Sequence, residues 1–172
     1  MNFPLGYIIA LTPQIIPAKW PNMKLGANTE ITSLKSKQEN CLAYVLGEPN
    51  DVDMLVFSKR FDLGLCGLSN TELDHSIDAY VKLLSHFYNF QVCGTSEWEE
   101  GFKKIALYEN TDEEGEVGFS HVALLLKNGR WRSKLGWLED VEHQNLDVLA
   151  GAFYGDPILF MKRPKLTEQL PI

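Results

Sequence analysis

Apolar positions recur with clear periods from about residue 70 onward and show few over residues 1–35. Residues 103–108 form a near-continuous apolar run, and residues 120–126 form a second one opened by a histidine. Lys127-Asn128-Gly129 separates that run from residues 130–136, so the pair predicts a buried-type strand followed by a tight hairpin. A last strand is predicted over 158–162, after Asp156-Pro157. The clearest helix starts at Asn70 or Thr71, with Leu73, Ile77, Tyr80, Val81, Leu84 and Phe87 or Tyr88 on one face. His75, Asp78, Lys82 and His86 take the opposite, solvated face. Its two histidines are eleven residues apart, the wrong spacing for one metal on a helix.

A shorter helix is predicted between Ser36 and Gly47, carrying Leu42, Ala43, Val45 and Leu46. Its start has two readings. Ser36 and Glu39 fit a capping box, which places Cys41 mid-helix, whereas Asn40 as N-cap places Cys41 in the first turn. Residues 145–150 read as another short helix, closed by Gly151. Residues 1–35 contain Pro4, Pro13, Pro17 and Pro21 and predict an extended arm, with Ile8, Ile9, Ile15, Ile16 and Trp20 lying along the domain surface. Residues 48–70 read as a loop-rich connection, Asp112–Gly115 as an acidic turn without a calcium-loop pattern, and Glu139–His143 as a polar cluster. No internal repeat is visible. The expectation is one α+β domain over residues 1–172, with an arm (1–35), a core (36–163) and a tail (164–172), built on an antiparallel sheet of four or more strands.

Composition narrows the partners. At 172 residues, 45% hydrophobic and 23% charged, the chain can bury its own core. A net charge of −7 argues against a broad nucleic-acid footprint, although basic residues gather at 127–134 and 162–165 and leave room for a local anionic contact. The first residues lack a basic segment, and the apolar run near 7–11 is too short for a signal or a membrane span. This predicts a cytoplasmic protein that does not enter a membrane, export without a signal leaving no mark to read. Cys41, Cys66 and Cys93 cannot all pair, and no CxxC spacing occurs, so free thiols are expected.

The candidate chemistry joins Cys41, near a helix start, to His121, at the opening of an apolar strand. A thiol supplies a nucleophile and an imidazole takes and returns its proton. The hairpin register decides what accompanies His121. A two-residue Asn128-Gly129 loop turns Ser133 away from the histidine, whereas a three-residue Lys127-Asn128-Gly129 loop sets Ser133 opposite Ala123 on the histidine face. Asp140, Glu142 and His143, from the following segment, are further candidates for the third residue. Ser133 and Lys134 do not form a Ser–Lys pair, because adjacent strand residues face opposite ways. Trp131 and Trp137 read as core or rim packing. Glu139, Asp140, Glu142 and His143 resemble a metal cluster only in composition, and neither metal nor cofactor is implied.

The run Lys-Lys-Ile-Ala-Leu-Tyr (103–108), then Ser-His-Val-Ala-Leu-Leu-Leu-Lys-Asn-Gly (120–129), resembles the core of the NlpC/P60 and CHAP branch of papain-like peptidases and amidases. Cys41 matches the nucleophile of that branch and His121 its base, with Asn40, Leu42 and Ala43 flanking the cysteine. The chain also resembles a family of bacterial proteins with no assigned function, through Asn40–Gly47, Glu99–Tyr108, His121–Ala123, Asn128–Gly136, Asp140–His143 and Tyr154-Gly155. The resemblance implies a papain-like fold in which the helix carrying Cys41 packs on the sheet. It also implies thiol-dependent hydrolysis or acyl transfer on a protein, peptide or other amide, with Cys41, His121 and Ser133 or Asp140 as catalytic residues. The rival expectation is a catalytically inactive papain-like module that binds a partner protein, as a toxin or immunity component of a bacterial conflict system.

Overall fold

The structure, a computed structural model, describes residues 12, 14–33, 41–47, 76–136 and 138–165. Its strands are β1 (Thr29–Ser33), β2 (Gln91–Cys93), β3 (Phe102–Thr111), β4 (Val117–Leu125), β5 (Trp131–Lys134), β6 (Asp140–His143) and β7 (Asp156–Pro164). They form one seven-stranded sheet in the order β1-β6-β5-β4-β3-β7-β2, with every neighbouring pair antiparallel. The helices among the described residues are α1 (Ile15–Lys19), α2 (Cys41–Leu46) and α3 (Ile77–Tyr88), with a 3-10 turn at Leu146–Val148. The fold class is α+β.

Period-two alternation divides the apolar residues of the sheet between two cores. Ile105, Leu107, Val122 and Met161 point to the layer of α2 and α3, where they meet Leu42, Val45, Leu83 and Leu84. Ala106, Tyr108, Ala123, Leu125, Trp131 and Val141 point the other way, against Trp20, Leu149 and Tyr154. The helix α3 begins at Ile77 because Ser76 is extended and its hydroxyl accepts the Ala79 N–H at 3.2 Å. That start is later than Asn70 or Thr71, which lie outside the described residues, as do Leu73 and His75. Asn89, left-handed at φ 56°, ends the helix.

The predicted arm differs from what forms over 14–33. Trp20 is fully buried and Ile16 nearly so, while Thr29–Ser33 adds an edge strand on β6. A chain crossed by prolines still completes the sheet, because Pro17 sits in the short α1 and Pro21 follows it, leaving 29–33 free to pair. The polar cluster at 139–143 is also a strand. In β6 the acidic residues and the buried Val141 and His143 alternate across the sheet.

The hairpin takes the three-residue form. Leu126 N–H donates to Arg130 O at 2.8 Å, and Gly129, left-handed at φ 79°, donates to Leu126 O at 3.0 Å. Leu124 then pairs with Arg132 and Leu125 with Trp131, which carries Ser133 onto the face shared by Ala123 and His121. One irregularity lies beside the histidine. Tyr108 pairs with His121 but Glu109 pairs with Phe119, so Ser120 is an extra residue in β4.

Candidate functional site

Cys41 is the first residue of α2, a six-residue helix ended by Gly47, left-handed at φ 76°. The cap readings rest on Ser36, Glu39 and Asn40, which lie outside the described residues. The helix packs on β4 and β5, bringing a half-buried, unbridged thiol to the cavity lined by His121, at the middle of β4. Cys41 and His121 line one cavity of about 350 Å³ together with Trp20, Leu138, Phe153 and Tyr154.

His121 is 1% exposed. The Tyr154 ring stacks on it face to face, with centroids 4.1 Å apart and planes 11° apart, while Tyr108 meets its edge at 5.4 Å. Its Nε2 is buried and makes no hydrogen bond. Burial holds the imidazole at about 3, well below its ordinary value of 6.5, with a smaller contribution from His143. Burial likewise pushes the Tyr154 phenol well above its ordinary value, and neighbouring Cys41 and Tyr108 add to this.

Backbone bonds hold the segment that carries Tyr154. Gly151 and Gly155 exchange N–H···O bonds at 2.8 and 2.6 Å, closing a small loop around residues 152–154. Asn110 donates its side-chain amide to Ala152 O and Phe153 O, at 3.0 and 3.2 Å. The hydroxyl of Ser120, the extra residue of β4, donates to Tyr154 O. Gly155 is required here. It is left-handed at φ 69°, and a Cβ would lie 1.8 Å from Glu109 O.

Ser133 reaches the histidine face but bonds another partner. Its Oγ lies 2.9 Å from His143 Nε2, and His143 Nδ1 lies 2.7 Å from Asn145 O. A carbonyl only accepts, so Nδ1 carries the proton and Nε2 accepts from the serine hydroxyl. Both side chains are fully buried, and burial is the main cause that lowers His143 to about 4. Asp140 lies on the other face of the sheet. It pairs across β5–β6 with Lys134, whose buried ammonium is 3.4 Å from Asp140 Oδ1 and also donates to Leu138 O. Ser133 and Lys134 accordingly diverge. Glu142, on the same side as Asp140, is bound to Arg130 and Arg132. Among the described residues no group of three or more His, Cys, Asp or Glu is placed to hold a metal ion.

The structure therefore brings Cys41 and His121 to one cavity, sets Ser133 beside His143, and places Asp140 away from both. Its aromatic walls, Trp20, Phe153 and Tyr154, were not nominated as site residues by sequence reasoning. The available signal was the Tyr154-Gly155 pair, whose glycine permits the close approach to β3. Trp131 is buried in the core as expected; Trp137 and Cys66 lie outside the described residues.

Residues 30–162 match the family model of a domain of unknown function, DUF7689. The chain belongs to this family. No curated protein and no solved structure matches it. No helix among the described residues is long and apolar enough to cross a membrane.

Proposed function

We infer that this DUF7689 chain is a thiol-dependent hydrolase or acyltransferase of the peptidase or amidase type, on a papain-like arrangement of helix and sheet. The observation that supports this is the shared cavity of Cys41, from the start of α2, and His121, from β4. In the proposed reaction Cys41 Sγ attacks the carbonyl carbon of an amide or ester, and its proton passes to His121. The C–S bond forms as the carbonyl π pair moves to oxygen. The tetrahedral adduct then collapses, and the leaving group departs with the proton from His121. Water or an acceptor amine cleaves the thioester in the reverse sense and regenerates the thiol. The Cys41 N–H, in the first turn of α2, is an oxyanion donor in this reading.

Electrostatics shape the pair. Burial keeps the His121 imidazole neutral at rest. A six-residue helix adds little dipole to change that. The Tyr154 face, stacked on the ring, is where a transient imidazolium gains cation–π stabilisation. The test uses p-nitrophenyl acetate as acyl donor and follows thioester formation at each cysteine by peptide mass spectrometry. Acylation of Cys41 is expected to exceed that of Cys93 by about 100-fold or more, the range of one positioned base. Equal rates at the two thiols overturn the proposal.

One observation favours the second reading. Ser133 is engaged by His143 and Asp140 faces the other side of the sheet, so neither orients His121. A papain-like module without catalysis, presenting its acidic surface to a partner protein as a toxin or immunity component, accounts for that. It predicts equal acylation of Cys41 and Cys93.

A further inference from the structure

We propose that a second cavity, at the end of the sheet where β4 enters its hairpin loop, binds an amphiphilic organic anion: a carboxylate or phosphate headgroup on an apolar body. This cavity, of about 460 Å³, shares no residue with that of Cys41 and His121, and the proposal is independent of the thiol chemistry. Four cationic side chains line it (Lys103, Lys127, Arg163 and Lys165), with no carboxylate among the described residues of its lining. Leu124, Leu126 and Trp98 supply an apolar floor. That volume suits a small organic ligand, and its mixture of apolar surface with a few convergent charges is typical of ligand sites.

The sheet contains its own comparison. Lys104 and Lys162 are directly paired across β3 and β7, an unfavourable placement of like charges. Glu99 bridges them, 3.2 Å from Lys104 Nζ and 2.8 Å from Lys162 Nζ. One residue along, on the opposite face, Lys103 and Arg163 are paired in the same way. Glu99 does not reach Lys103, and Lys103, Lys127 and Lys165 form no ion pair among the described residues. Burial and the Arg163 charge lower Lys103 to about 8. An incoming anion would serve Lys103 as Glu99 serves Lys104.

The positions of the cations are set by the fold. The Arg163 guanidinium donates to Leu46 O and Tyr88 O, at 3.2 and 3.4 Å, at the C-terminal ends of α2 and α3. The Lys165 ammonium lies 4.1 Å above the Trp98 ring, an aromatic surface of the cavity. In a chain of net charge −7, a site of this sign selects anions by local field rather than by overall charge.

Isothermal titration of the full chain with decanoate, decyl phosphate, decanol and inorganic phosphate tests the proposal. Both amphiphilic anions should bind with one-to-one stoichiometry, and decanol and inorganic phosphate at least about tenfold more weakly, the loss of one charge-assisted hydrogen bond or of the apolar contact. Lys103→Met should weaken decanoate binding by about tenfold or more. Because Lys103 is half-buried, the exposed pair Lys127→Glu with Lys165→Glu provides a second variant with little risk to folding. Decanoate affinity within twofold of the parent chain in this double variant overturns the proposal. Decanol binding as tightly as decanoate, or inorganic phosphate as tightly as decyl phosphate, overturns it equally.

Discussion

Two histidines lie buried on the same side of the sheet, and their surroundings have opposite logic. His143 has both ring nitrogens engaged, one donating to Asn145 O and one accepting from Ser133. It behaves as a neutral cross-brace between β5 and the segment after β6. His121 is as deeply buried, yet its Nε2 makes no hydrogen bond and its ring faces a cavity shared with a thiol. An unsatisfied buried nitrogen costs about 1–3 kcal/mol. Depth of burial therefore does not separate structure from chemistry here. Satisfaction of the ring nitrogens is what distinguishes the two histidines.

The strongest way to break this comparison is to remove each ring and follow acylation. His121→Ala should slow acylation of Cys41 by p-nitrophenyl acetate about 100-fold or more, whereas His143→Gln should leave the rate within about threefold. Equal losses in the two variants would merge the two sites into one. Acid sharpens the contrast less, because both rings respond alike. The unfolded chain takes up protons below 6.5, while native His121 and His143 refuse them until about 3 and 4. Stability is then complete above pH 6.5 and is lost as pH falls, by roughly 3 kcal/mol for each histidine at pH 4. Urea melts between pH 7 and 4 should show this slope reduced in His143→Gln; an unchanged slope refutes the assignment. The smallest effect belongs to Ser133→Ala, which leaves His143 Nε2 without its donor. A loss of about 1 kcal/mol in a urea melt, with Cys41 acylation unchanged, is expected.

The central hairpin and its neighbours were legible because they are long and apolar. Residues 103–108 and 120–126 are buried runs, and Asn128-Gly129 marks the turn, although two registers fit the letters equally well. The choice between them depended on Asn128: a two-residue loop needs it left-handed, and only Gly129 is, with Leu126 N–H bonded to Arg130 O. The strands β1, β2 and β6 were not legible. They have five, three and four residues, too few for periodicity, and β6 alternates acidic with buried positions in a segment that reads as solvated. Cys41 and His121 could be nominated by residue type. Asp140 could not be set aside, because its side of the sheet depends on a strand that the pattern did not reveal. Ser133 reached the expected face, but its partner came from that same strand.

Strict alternation would send residues 119 and 121 to one side of the sheet. Yet the Phe119 ring stacks on Tyr80 of α3, with centroids 3.9 Å apart, while the His121 ring stacks on Tyr154 in the other layer. The difference is Ser120. One surplus residue resets the phase of β4, so that the odd-numbered positions turn from the helical layer at Phe119 to the cavity layer from His121 onward. The hydroxyl of that residue then ties the junction to Tyr154 O. A change of parity within one strand thus sorts an aromatic packed on a helix from a histidine that faces the thiol cavity, two residues apart, without any change in the direction of the chain.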